Sequence, residues 1–218
     1  MQPYFFPYAG YFRLFTAADT VVMFDCVQFP RRGWVHRNRF ALAGGDLDWL
    51  TLPLVKAERS IRIDQLRFPA DVAVRLEPAI HRFPVLAHAL KTKHPLLQRA
   101  LDFADSDTAA YLCKMVTHVA AALGFSKPVV RSSSLDIDPD LRAQDRVLAI
   151  VKALGATQYV NPPGGRDLYD HESFSSAGVQ LRFLTPYGGS MDSILSRLLT
   201  EPNEQIAREI ERETLLVA

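Results

Sequence analysis

The period of the apolar pattern changes twice along this chain, and that double change restricts the fold more than any other feature. Residues 20–28 (TVVMFDCVQ), 34–42 (WVHRNRFAL), 46–54 (DLDWLTLPL) and 60–68 (SIRIDQLRF) are rich in β-branched and aromatic types or alternate with period two, as strands do. From about residue 71 to 123 the apolar residues recur at helical spacing, with Pro84 and Pro95 as breaks. Strand-like runs return at 128–133 (PVVRSS), 157–161 (TQYVN) and 179–184 (VQLRFL), with a helix at 140–155 and two helical segments near the end. The expectation is an α/β fold: a single domain over 1–218 with a mixed sheet, an N-terminal β-hairpin region, a central helical segment and a C-terminal parallel βαβ unit.

Local punctuation supports that order. Gly44 and Gly45 turn the second strand into the third. The clearest helix, SDTAAYLCKMVTHVAAALG, has Ser106 or Asp107 as its N-cap and Gly124 at its end, and Gly155 stops the next helix. No repeat or low-complexity linker suggests a boundary.

Composition excludes several classes. Of 218 residues, 48% are apolar and 22% charged, so the chain is able to bury a core. Its 25 basic and 24 acidic side chains leave a net charge of +1, so no nucleic-acid partner held by bulk charge is expected, and anion binding must be local. Cys26 and Cys113 lie far apart, with no CxxC and no zinc spacing, which fits a reducing cytoplasm. The histidines and carboxylates are scattered, so neither metal nor cofactor is expected. No apolar run approaches the roughly 18 residues that span a bilayer, so no membrane insertion is expected.

FDCVQFPRRGWVHRNRF, residues 24–40, holds most of the candidate chemistry. If the flanking strands pair as a hairpin around the loop 29–33, Gln28 faces Trp34, Cys26 faces His36 and Phe24 faces Asn38, all on one face. A thiol opposite an imidazole is the minimum for a Cys-His dyad, in which the thiolate attacks. A slip of one residue puts Asp25 there instead. The plain alternative is that Cys26 is a small core residue, as a free cysteine in an apolar strand usually is. Arg31, Arg32, Arg37 and Arg39 either clamp a phosphate or carboxylate, or form a solvated basic edge.

VNPPGGRDLYD, residues 160–170, follows a strand. Gly164 and Gly165 would let backbone N–H groups approach a ligand, and Asn161 would stand at the carboxyl end of a parallel strand, where open α/β sheets bind ligands. A plain turn is the other reading. At the start, MQPYFFPYAGYFRLF crowds aromatics that would plug the core or wall a pocket, with Gln2 held extended by Pro3. The three motifs are expected to converge, so that Tyr4, Gln28, His36 and Asn161 line one cleft.

QPYFFPYAGYF, FDCVQFPRRGWVHRNRF, the WLTLPL strand, and LGATQYVNPPGGRDLYD followed by F...G..L.FL.P together resemble the WbqC family of bacterial proteins over nearly the whole chain. The resemblance implies functional positions at Gln2, Pro3 and Tyr4, at Gln28, Arg32, Trp34, Arg37 and Asn38, and at Asn161, Gly164, Gly165, Leu168 and Tyr169. Many relatives carry an acidic residue where Cys26 stands. Relatives also usually have a short apolar strand ahead of the glutamine-proline pair, so the resemblance implies that this chain lacks one. It further implies a setting in O-antigen, capsule, flagellin-glycan or natural-product assembly.

Three functions remain open. The first is a transferase forming an amide or ester, with an acyl group moving from a donor such as a carrier-protein thioester through Cys26 onto an amino sugar or amino acid, and His36 as base. The second is a non-covalent enzyme on a nucleotide-sugar or phosphorylated metabolite, with Asp25 or His36 as base. The third is a noncatalytic binding module of a glycan-assembly complex.

Overall fold

Seven short strands and nine α-helices make up the fold in a computed structural model that describes residues 1–104 and 106–218. The strands are β1 (Val21–Met23), β2 (Arg37–Ala41), β3 (Leu47–Thr51), β4 (Val129–Arg131), β5 (Gln158–Asn161), β6 (Gln180–Leu184) and β7 (Leu216–Val217). The helices are α1 (Arg13–Ala17), α2 (Val72–Ile80), α3 (Pro84–Lys91), α4 (Pro95–Ala100), α5 (Thr108–Ala122), α6 (Ala143–Ala153), α7 (His171–Ser176), α8 (Ile194–Thr200) and α9 (Asn203–Arg212). The chain is mixed α/β, as the periodicity predicts. Pro84 and Pro95 each open a helix, where a missing N–H costs nothing. Asp105, inside the stretch expected to be helical, lies outside the described residues. No helix among the described residues is long and apolar enough to cross a membrane.

The strands pair differently from the expected single sheet. They form three small sheets: β1 parallel to β4, β2 antiparallel to β3, and β5 parallel to β6 with β7 antiparallel on the far side of β6. The Gly44–Gly45 turn forms as read, with Gly45 at φ +90°, and sets Asn38 opposite Leu50. The hairpin that would place Cys26 across from His36 does not form. β1 stops at Met23, whose carbonyl accepts from the Asp25 N–H at 3.0 Å, and β2 takes β3 as its partner. The expected strand at 60–68 is reduced to a bridge between Gln28 and Arg62 and a single 3-10 turn, Ile63–Gln65. The parallel βαβ unit is β5–α7–β6 rather than β4–α6–β5.

Helix ends follow local chemistry. Asp107 caps α5 by accepting from the Ala110 N–H at 3.0 Å. Gly124, at φ +82°, ends it in a Schellman motif, with Phe125 N–H donating to Ala120 O at 2.8 Å. The first-motif aromatics Phe5, Phe6, Tyr11, Phe12 and Phe15 are buried in the main core. A smaller cluster, including Val147, Phe174, Leu181 and Phe183, backs the β5–β6 sheet.

Asp25 fixes how β1 meets β4. Its side chain is 0% exposed. Oδ1 accepts from Ser132 Oγ at 3.0 Å and Ser133 N at 2.9 Å; Oδ2 accepts from Arg131 Nε at 2.7 Å and Ser133 Oγ at 2.8 Å. Arg131 also donates to Asp107 at 3.1 Å, which ties the amino end of α5 into the same network. Asp25→Asn would turn an amide NH₂ toward hydrogen-bond donors and strip Arg131 of its buried anion. The expected loss is about 3–5 kcal/mol, the range for breaking a buried pair, measured as a lower urea midpoint with an unchanged m-value. A loss under about 1 kcal/mol would show that the network does not anchor the strands.

Candidate functional site

Two of the three motifs meet. A cavity of about 700 Å³ opens between β1 and β5, and Gln2, Tyr4, Asn161, Gly164, Gly165 and Tyr169 all line it. Gln2 follows Met1, which hydrogen-bonds β1, so the first motif passes the carboxyl end of that strand; Asn161 is the last residue of β5. The polar residues therefore gather at strand carboxyl ends, the position where α/β sheets hold ligands. Asn161 is seated by neighbours: Tyr159 Oη donates to its Oδ1 at 3.4 Å, and a Cβ at Gly165 would lie 1.8 Å from its Nδ2. Glycine is required at 165 for that close approach. The Gly165 N–H is itself used, donating to Pro162 O at 3.1 Å. Burial pushes the Tyr159 hydroxyl well above its usual range, so it stays a neutral donor.

Beyond Phe24 the second motif goes elsewhere, so the expected four-residue cleft of Tyr4, Gln28, His36 and Asn161 is not formed. His36 and Arg31 line a separate cavity of about 330 Å³, bounded by Leu52, Val55 and Ile61. The imidazole stands edge-on to Phe29, and its buried Nδ1 has no hydrogen-bond partner among the described residues. Gln28 donates to Arg59 O at 2.8 Å. Asn38, 5% exposed, donates through Nδ2 to the carbonyls of Phe5 and Phe6 and accepts from the Arg39 N–H. Its amide is committed to holding the first motif.

Three of the four arginines serve the structure around them. Arg31 donates to Ala57 O and Glu58 O, both at 2.7 Å. Arg37 donates to Gly33 O and Arg32 O and lies 4.1 Å over the Trp49 ring; Arg39 lies 5.5 Å over Trp34. Trp34 and Trp49 pack at 4.9 Å between centroids. Arg32 is exposed.

Cys26 sits just past β1, two residues beyond Phe24, which lines the large cavity. Its Sγ accepts from Arg146 Nη1 at 3.3 Å, and its N–H donates to Ser132 Oγ at 3.3 Å. The structure gives the sulfur a guanidinium rather than the imidazole of His36. Arg146 is 8% exposed and donates also to the carbonyls of Leu141, Asp138 and Pro139. No ion pair to it is found among the described residues. A buried cation satisfied by carbonyls and one sulfur is electrostatically suited to an anion at that sulfur position. Sequence reading missed Arg146, although an arginine on the stripe it shares with Val147, Ile150 and Val151 was a visible signal. Cys113, in contrast, is buried in α5, and burial pushes its thiol up to about 12.

Two outcomes follow from these placements. Gly165→Ala forces Asn161 out of its seat, at an expected cost of about 1–3 kcal/mol; in a double-mutant cycle, Asn161→Ala relieves most of that loss, and full additivity would contradict the contact. Burial first, and Arg37 second, push the His36 imidazole from 6.5 down to about 4. Because the folded value is the lower one, His36's contribution is complete above about pH 6.5 and is lost as pH falls toward 4. His36→Phe should flatten that part of the acid limb of a Tm–pH profile. An unchanged limb would mean that the imidazole is not held neutral.

Comparison with known proteins adds a family but no activity. A protein described as uncharacterized, from Mycobacterium tuberculosis, is 24% identical over 195 residues, covering 88% of this chain and 83% of that protein. No solved structure matches the chain. The model of the WbqC-like protein family matches residues 2–189, a span that contains the Cys26–Arg146 pair and, apart from Met1, the residues that line the two cavities. The chain belongs to the WbqC-like protein family.

Proposed function

We propose that the protein is a transferase of bacterial surface-glycan or natural-product assembly, forming an amide or ester by moving an acyl group through Cys26 onto an amino sugar or amino acid. The carrying observation is the 3.3 Å contact between Cys26 Sγ and the buried guanidinium of Arg146; Phe24, two residues before Cys26, and Val147, next to Arg146, line the larger cavity. Arg146 replaces His36 in the dyad: it pairs the sulfur when it is negative, but it does not take up a proton. The Cys26 thiolate attacks the carbonyl carbon of an acyl thioester; a C–S bond forms, and the donor's thiolate leaves and is protonated by water. The acceptor's amine or hydroxyl then attacks, its C–N or C–O bond forms, the Cys26 C–S bond breaks, and the acceptor's proton passes to solvent. Gln2 and Asn161 supply amide groups at the mouth to orient the acceptor.

The non-covalent reading remains as the second one, with Arg146 holding an anion of the substrate. Asp25 is a poor base for it, since both its oxygens are already filled by donors and it is fully buried. Cys26→Asp separates the two readings. The carboxylate preserves a negative partner for Arg146 but forms no thioester. Covalent transfer predicts an acyl adduct on the wild type by intact-mass spectrometry after incubation with acyl thioesters, none on Cys26→Asp, and at least a 100-fold loss of turnover. Arg146→Leu should slow native-state iodoacetamide labelling of Cys26 by about tenfold. Turnover that survives in Cys26→Asp would overturn the covalent route.

A further inference from the structure

The smaller cavity is framed by a strap, residues 52–58, that is pinned at both ends to the second motif. The Leu52 N–H donates to His36 O at 2.8 Å, and Arg31 Nη2 donates to Ala57 O and Glu58 O, both at 2.7 Å. Between those ends the Val55 N–H donates to Arg67 O at 2.9 Å, and the Phe29 N–H donates to Ile61 O at 2.8 Å. The frame therefore rests mainly on backbone groups, and the space of about 330 Å³ inside it is part of the fold.

Its lining is apolar and carries one sign of charge. Phe29, Leu52, Ile61 and Leu66 form walls, and Val55 is left 49% exposed at the mouth. The charged side chains of the lining are Arg31 and Lys56, both cations, and no ion pair to either is found among the described residues. Arg31 uses Nη2 on the strap, which leaves the donors of Nε and Nη1 without a hydrogen bond among the described residues. His36 lines the same space. Buried polar atoms are paired in nearly all folded proteins, so the orphaned Nδ1 beside a cavity is the pattern of a site that a ligand completes. Burial keeps the imidazole neutral down to about 4, so it offers hydrogen bonding and leaves the two cations uncompensated.

We propose that the smaller cavity is a second ligand site, which takes a compact carboxylic acid whose apolar body ends in a hydroxyl or N–H group. The carboxylate lies at Arg31 and Lys56, the body lies against Leu52, Ile61 and Leu66, and the terminal donor meets the imidazole of His36. Each part of that description has its own cause. Two cations beside apolar walls act through a low dielectric and select an anion. The walls select an apolar body, and a volume near the lower end of the roughly 300–1,000 Å³ typical of ligand cavities selects a small one. The unpaired nitrogen selects a group that donates, because burying a hydroxyl without a partner is unfavourable and the imidazole relieves it. Cys26, Arg146 and Asn161 line no part of this cavity, so the site does not depend on acyl transfer at Cys26.

The test titrates 3-(4-hydroxyphenyl)propanoate, its primary amide and 3-phenylpropanoate to about 10 mM, read by NMR at the backbone amides of Leu52 and Ile61, with the Asn161 amide reporting on the larger cavity. The hydroxy acid should give a saturable shift at Leu52 and Ile61. The amide should bind about fivefold more weakly, and 3-phenylpropanoate about threefold more weakly, a difference that disappears in His36→Phe. Val55→Glu, which places an anion at the exposed mouth, should weaken the hydroxy acid about tenfold, whereas Val55→Gln, of the same size, should change it less than about threefold. The proposal is overturned by no saturable shift at Leu52 and Ile61 in the folded protein, by equal affinity for acid and amide, by equal affinity in the two Val55 variants, or by a hydroxyl preference that survives in His36→Phe. Shifts confined to Asn161 would put the acid in the larger cavity and overturn it as well.

Discussion

The carboxylate of Asp25 is the point from which the rest of the molecule is positioned. Removing a charge from water is unfavourable unless its partners replace the lost hydration. Here four donors do so, all from the three residues Arg131 to Ser133 at the end of β4. A two-stranded parallel pairing of three residues is weak by itself. The carboxylate holds it in one register and, through Arg131 and Asp107, fixes it to the start of α5. Burial opposes ionisation of Asp107, but the Ala110 amide and Arg131 outweigh it and hold its carboxyl below the usual range. The network thus sets where β1 ends, and hence where Phe24 stands at the cavity and where Cys26 follows it.

A second constraint places the other wall of the mouth. Phe6 adopts φ +45°, a left-handed conformation that is costly for an aromatic residue. Its carbonyl accepts from both Asn38 and Ser193, two buried side chains, so the turn is held from β2 and from the start of α8. The second motif therefore acts on the site at one remove. Its asparagine clamps the backbone two residues beyond Tyr4, and Arg37 braces the turn at residues 32–33 against Trp49. The polar strip that looks like a catalytic face in sequence is largely the support for another segment's position.

What could be read from sequence was what local chemistry decides. The hairpin at Gly45, the caps at Asp107, Gly124 and Gly155, the proline-started helices and the α/β order depend on neighbours a few residues away. Pairings across long separations were not legible. Val21 pairs with Val129, and no periodicity in either run specifies the other. Asp25 was weighed as a base because a one-residue slip of the assumed hairpin turns it toward His36's face, but the serines that satisfy it lie more than 100 residues on, in what read as a strand end. Cys26 and His36 were matched by a hairpin register that the early stop of β1 removes. The convergence of Gln2 and Tyr4 with Asn161 was anticipated in part, because a glutamine before proline and an asparagine at a strand's carboxyl end are each informative locally.

The buried arginines show why the Cys26 position is chemically distinct. Arg197 meets Glu201 and Glu209, so its charge is cancelled by carboxylates on α9 and at the end of α8. Arg13 is satisfied by the carbonyls of Gly10, Thr185 and Glu213 and by the face of Tyr187, at 5.2 Å, partners that cannot change charge near neutrality. Arg146 has carbonyls as well, but its remaining donor points at a half-exposed sulfur. Among these three sites only that one pairs a desolvated cation with an atom able both to become negative and to form a bond to carbon. A carboxylate in place of the sulfur would satisfy the same guanidinium but could not form a thioester, so substitution at this one position would remove the route proposed above while leaving the electrostatic support of the fold intact.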